Sequence, residues 1–222
     1  MKKSLLSLTI LSSIFISTNV LSDELSNDAD NFKGLNLGVG LSVVKYDSNF
    51  SQSFPSYPSD FAKYHSTNVV PRFDGSYSFE LNDKWLLGVG LTLDLSPFNG
   101  DEYLDTFGTG NTKIRTTNHY SVYIEPTYAI DNSLAVFGKL SYQSSNIDAI
   151  WVGDGYLNDH MRLDGVGVGL GVKKLINQNI YVQLEGEYVD YSNINWSDSS
   201  GSNWGYRNNN SYSGTLSAGY HF

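Results

Sequence analysis

The segment Tyr212-Ser-Gly-Thr-Leu216-Ser-Ala-Gly-Tyr220-His-Phe222 alternates without a break. One parity carries Tyr212, Gly214, Leu216, Ala218, Tyr220 and Phe222; the other carries Ser213, Thr215, Ser217, Gly219 and His221. Successive side chains of a strand point to opposite faces, so this strand has an apolar, aromatic face and a small, polar one. Terminal residues normally fray in water unless something ties them down. A two-faced strand ending on Phe222 reads as one that stays paired.

The same period recurs upstream and gives eight strands. Apolar parities are Leu35–Val43, Val69–Phe79, Trp85–Leu95, Tyr120–Tyr128, Leu134–Tyr142, Val166–Val172, Ile180–Tyr188 and the terminal segment. Opposite them stand Gly, Ser and a few charges, as in Gly165, Gly167, Gly169 and Gly171. Those glycines repeat every second residue and open no helix, so they are no dinucleotide fingerprint; they read as space for long side chains across the interior. Short turns fall at 80–84, 131–133 and 175–179, and long polar stretches at 47–66, 97–112, 144–160 and 192–210.

At the other end, Met1-Lys2-Lys3 precedes an apolar stretch from Leu5 to Ile16, and Val20-Leu21-Ser22 offers a cleavage site. That is the layout of a secretory signal peptide over residues 1–22, leaving 23–222 as one domain. Without the two leader lysines, 12 basic side chains face 23 acidic ones, which excludes the basic footprint of a nucleic-acid binder. There is no cysteine, hence no disulfide framework, thiol nucleophile or Cys-ligated metal. No cofactor or metal site is implied. Beyond the leader, no run of about 18 apolar residues could form a transmembrane helix, so any crossing is made by strands.

Taken together, the alternation, the unequal connections and the terminal aromatic resemble the small outer-membrane β-barrel family that includes the transmembrane domain of outer-membrane protein A and its Ail/OmpX-type relatives. The implied fold is all-β: an eight-stranded antiparallel up-and-down transmembrane β-barrel with short periplasmic turns and four long extracellular loops. The implied location is the bacterial outer membrane. The implied partners are outer-membrane lipid and the outer-membrane assembly machinery, with Tyr220 and Phe222 as the C-terminal assembly signal. With the chain ending at Phe222, no periplasmic cell-wall-binding domain is expected. Trp85, Phe79, Tyr128, Tyr220 and Phe222 would form the periplasmic aromatic girdle, and Tyr120, Tyr142 and Tyr212 part of the outer one. A lipocalin-like secreted barrel would invert the faces, placing apolar residues inside; the Gly/Ser-rich, charged face fits an eight-stranded lumen better.

Seven charges fall on the inward parity: Arg72, Asp74, Arg115, Glu125, Lys139, Glu185 and Glu187. Buried charges cost several kcal/mol unless paired, so they are expected to form an ionic layer that plugs the lumen. Pairing Ile130 with Leu134 across the 131–133 turn sets Glu125 opposite Lys139, and those two are expected to interact. His119-Tyr-Ser121 resembles the His-x-Ser of outer-membrane lipid A deacylases, but its parity points into the lumen whereas those enzymes work from the outer surface. Function is expected in the loops. Phe50, Phe54, Tyr57, Phe61, Trp151, Tyr156, Trp196, Trp204 and Tyr206 stand among Ser, Asn and Gly, a composition suited to binding. The reading is a non-enzymatic surface barrel that binds a host or cell-surface ligand through its loops. The alternatives are a structural or small-solute porin-like barrel and, behind it, a lipid-modifying enzyme.

Overall fold

The computed structural model describes residues 28–54, 57–104, 111–152, 157–197 and 203–222. Among them, a short 3-10 helix, Asp28–Phe32, precedes ten strands: β1 Gly34–Phe54, β2 Tyr57–Glu80, β3 Trp85–Asp94, β4 Phe98–Leu104, β5 Asn111–Ala129, β6 Leu134–Val152, β7 Leu157–Leu175, β8 Ile180–Tyr191, β9 Ile194–Ser197 and β10 Asn203–His221. Every pairing is antiparallel, and β1 pairs with both β2 and β10, so the sheet closes. Eight strands make the wall in meander order. The remaining two, β4 and β9, pair only with the outer parts of β5 and β10. The three short turns fall where alternation stops.

The long polar stretches differ from expectation. Most of 47–66 is not loop: β1 and β2 stay paired from Asp47↔His65 out to Phe54↔Tyr57. Likewise β6 and β7 stay paired out to Trp151↔Leu157. Polarity hid this strand, because a sheet with water on both faces needs no apolar alternation.

On the outer face, Val39, Leu41, Val43, Val89, Leu91, Val122, Ile124, Val168 and Leu170 are all exposed, Leu170 to 74%. A continuous apolar belt of this kind is matched only by hydrocarbon. Aromatic rings rim it. Trp85 meets Tyr128 at 5.1 Å between centroids, Tyr220 meets Phe222 at 4.6 Å, and on the far rim Tyr188 meets Tyr212 at 5.0 Å. Tyr120 to Tyr128 and Tyr212 to Tyr220 each span about nine residues, the length of a tilted strand crossing a bilayer.

The interior has three tiers. Beside the short turns, Leu86, Ala129, Ala135, Leu175 and Tyr181 form an apolar floor with Ala29 and Phe32 of the 3-10 helix. Charged and polar side chains fill the middle. Toward the outer rim lie two further apolar clusters, Val44 with Val70 and Leu163 with Val189 and Tyr191. The glycines of β7 make the room expected of them. A Cβ on Gly167 would collide with the Ser141 hydroxyl, and one on Gly171 with the Phe137 ring.

Candidate functional site

Two regions compete for function, the charged lumen and the extracellular hairpins. In the lumen, register sets Arg72 of β2 directly opposite Asp94 of β3. The guanidinium donates from Nε to Asp94 Oδ1 at 2.7 Å and from Nη2 to Oδ2 at 3.5 Å. Its Nη1 lies 4.0 Å from Glu187. Lys139 Nζ donates to Glu185 Oε1 at 2.9 Å, stands 3.9 Å from Glu187 and sits 4.5 Å from the centroid of the Tyr123 ring. Glu187 also accepts from the Ser141 hydroxyl at 2.7 Å. Asp74 accepts from Tyr123 Oη at 2.8 Å and Thr92 Oγ1 at 3.3 Å. Each carboxylate therefore meets donors, as a low-dielectric interior requires.

One expected contact is corrected. Glu125 and Lys139 do share the register, since Ile124↔Leu140 and Thr127↔Phe137 bracket them. Their charges nevertheless go elsewhere: Lys139 turns to Glu185 and Glu187, and Glu125 accepts from Lys173 Nζ at 3.2 Å. Across so narrow a lumen, a lysine reaches the facing wall as easily as its strand neighbour. Lys173, Asp94 and His119 join the lumen set beyond the seven charges expected. The signal for Lys173 was its parity with the β7 glycines, and that for Asp94 its place opposite Arg72.

Arg115, the seventh charge of the expected layer, lies above a break in register. The register of β5 and β6 shifts between Thr117 and Tyr120, with Asn118 at φ 52°, so counting back from His119 misassigns every position above the bulge. The backbone of Arg115 pairs with Asn99 and Asp148 in the extracellular hairpin; its side chain lies outside the described residues.

His119 is committed on both sides. Its Nδ1 lies 2.6 Å from Asp94 Oδ2, and its Nε2 lies 2.8 Å from Gln143 Oε1, which also accepts from Tyr191 Oη at 3.1 Å. A general base must reach the proton it abstracts, and Nε2 faces an amide, not Ser121. Two small cavities among the described residues, one lined by Arg72, Asp74, Lys139 and Glu185 and the other by Asp94, His119, Gln143 and Tyr191, each hold about 10 Å³. That is space for one water at most.

The hairpins are long. From Tyr46 to Phe54, β1 continues past the outer girdle for roughly nine residues, about 30 Å at ~3.3 Å per residue. It pairs there with β2 on one side and β10 on the other, out to Ser53↔Asn203. The loop aromatics sit on these extensions: Phe50 pairs with Ala62 and Tyr206, Phe54 with Tyr57, Phe61 with Ser51, Trp151 with Thr112 and Leu157, and Trp196 with Trp204. Their side chains, and Tyr156 altogether, lie outside the described residues. Above the membrane, His65 Nδ1 meets Asp47 Oδ1 at 2.5 Å. That hydrogen bond holds the Asp47 carboxyl below its ordinary value.

A closed eight-stranded wall, an apolar belt between aromatic rims and a filled interior describe a membrane barrel. The profile of the outer membrane protein beta-barrel domain family matches residues 8–222. The chain belongs to that family. It is a protein of the bacterial outer membrane. Solved structures share the fold at low identity. OprG from Pseudomonas aeruginosa is 14% identical at a TM-score of 0.58, covering 86% of this chain and 96% of its own. The outer membrane protease OmpT from Escherichia coli is 12% identical at 0.50, covering 93% and 100%. Ail, the attachment invasion locus protein of Yersinia pestis, is 14% identical at 0.46, covering 82% and 99%. Comparison with curated protein sequences finds no match.

Proposed function

We propose that this outer-membrane barrel is a non-enzymatic surface protein whose extracellular hairpins bind a partner on a host or neighbouring cell. The carrying observation is the contrast between a filled lumen and paired strands that continue far above the membrane. Among the described residues, ion pairs and water-sized cavities fill the lumen between the strands, which supports a surface role over transport. The sequence of the paired hairpin strands instead carries Phe50, Phe61, Trp151, Trp196, Trp204 and Tyr206, residue types that bind at low entropic cost.

Charge narrows the partner. Segments 46–66, 97–117, 144–164 and 190–210 carry 11 acidic against 5 basic side chains. Such a surface repels polyanions and favours a neutral or cationic protein. The barrel is placed by its leader, residues 1–22, and recognised by the assembly machinery at Tyr220 and Phe222.

The test compares cells carrying the full protein with cells whose four hairpins are cut to short turns, after confirming equal folded barrel in the membrane. Binding to host cells, matrix proteins and neighbouring bacteria should be lost with the hairpins. Equal binding by both strains, or none by either, overturns the reading in favour of a structural barrel.

A further inference from the structure

We propose that residues Asp28–Gly34 form a strap that closes the periplasmic mouth of the barrel and braces the seam between β1 and β10. The strap starts at the β2–β3 turn, the next turn round the mouth from β1. Ala29 N donates to Asp83 O at 3.0 Å in the β2–β3 turn, and Asp28 pairs with the ammonium of Lys84 beside it. Lys33 returns to the strap and to the wall, meeting Asp30 at 2.6 Å and Glu80 at 3.4 Å.

Between these tethers the chain turns its apolar side upward. Ala29 and Phe32 are buried in one cluster with Leu86, Ala129, Ala135, Leu175 and Tyr181, contributed by β3, β5, β6, β7 and β8. Each of those five residues sits at the turn end of its strand. Without the strap, an apolar ring would open directly onto water, and Phe32, 3% exposed, is buried with that ring. Immediately above lies the lowest ion pair, Lys173 with Glu125, whose ammonium is 5.4 Å from the Tyr181 ring centroid. The strap therefore keeps the periplasm away from a buried charge pair.

Its other end is the seam. Gly34 has φ +129°, a conformation disfavoured for other residues, and a Cβ there would collide with the carbonyl oxygen of Phe222. Phe222 N in turn donates to Leu35 O at 2.9 Å. The strap leaves β1 at the point where Phe222, just past the end of β10, docks, so it seats fully only on a closed barrel.

The chain has no cysteine, so Ala135→Cys introduces a single thiol into the floor. In the refolded full-length protein in detergent micelles, a hydrophilic maleimide should label that thiol at least ten-fold more slowly than when Phe32→Asp is added. Both proteins are first checked for heat-modifiable migration as folded barrels. Equal rates in the two folded proteins overturn the proposal. Should Phe32→Asp fail to fold, hydrogen exchange of the unaltered protein decides. The Ala29 amide should exchange as slowly as wall amides near the turns, and exchange at the rate of an unstructured peptide overturns the strap.

Discussion

The inner half and the outer half of β1 run through two different solvents, and the contrast explains the molecule. From Leu35 to Val43 the strand alternates large apolar residues with Gly, Ser and Asn, and the alternation is obligatory because one face meets lipid and the other a packed lumen. From Tyr46 to Phe54 it is a mixture of Asp, Ser, Asn, Gln and aromatics, yet it pairs with β2 out to Phe54 and with β10 out to Ser53, with one shift of register in each ladder. Below, side chains decide register and every inward charge meets a partner. Above, the ladder of backbone hydrogen bonds carries the sheet.

The contrast breaks most sharply in the lumen. Lys139→Ala leaves Glu185 and Glu187 without their ammonium and should destabilise the barrel by about 3–5 kcal/mol, the usual cost of removing one partner of a buried pair. Urea unfolding in lipid vesicles measures it. Lys139→Met combined with Glu185→Gln and Glu187→Gln should recover much of the loss. A cost below about 1 kcal/mol for Lys139→Ala would mean that the lumen is wet. Next in size is the lipid face. Leu170→Arg, facing hydrocarbon, should cost about 2–4 kcal/mol near the bilayer midplane. The same change at Ser53, exposed on the outer part of β1, should stay within about 0.5 kcal/mol.

The sequence reveals the barrel because lipid and lumen impose a strict period of two, and it reveals the girdles because aromatic residues such as Trp85, Tyr120, Tyr128, Tyr188, Tyr212 and Phe222 stand at the ends of several apolar parities. It conceals what the period does not govern. The bulge at Asn118 shifts the register without a glycine or proline to announce it, so alternation counted from His119 does not carry to Arg115. Facing-wall partners such as Lys139 with Glu185 depend on how side chains cross the lumen, and register speaks only of neighbours. The outer strands carry no alternation, so they read as loop. Asp28–Phe32 bears no barrel signature, and its docking under Leu86 and Tyr181 emerges only in three dimensions.

Smaller effects belong to the outer half. Replacing residues 46–67 with a short turn should leave the unfolding free energy of the barrel within about 1 kcal/mol, since changes in loop length are thermodynamically cheap. A larger loss would show that the hairpins hold the wall together. The smallest effect is electrostatic. The hydrogen bond from His65 holds the Asp47 carboxyl below its ordinary value. A depressed carboxyl contributes stability that is fully present above its unfolded pKa of about 3.9 and is lost as pH falls through the lower folded value. Asp47 and His65 are partly to largely solvated, with side-chain exposures of 21% and 61%, so the contact is worth about 0.2–1 kcal/mol. Acid should therefore loosen the β1–β2 hairpin near His65 below about pH 4 while the wall stays closed. Amide exchange around Asp47 followed by NMR would show it, and Asp47→Asn should abolish the pH dependence. If the loosening instead spread to Val43 and Val69, the two halves of the strand would be one cooperative unit, and the division at the outer girdle would not hold.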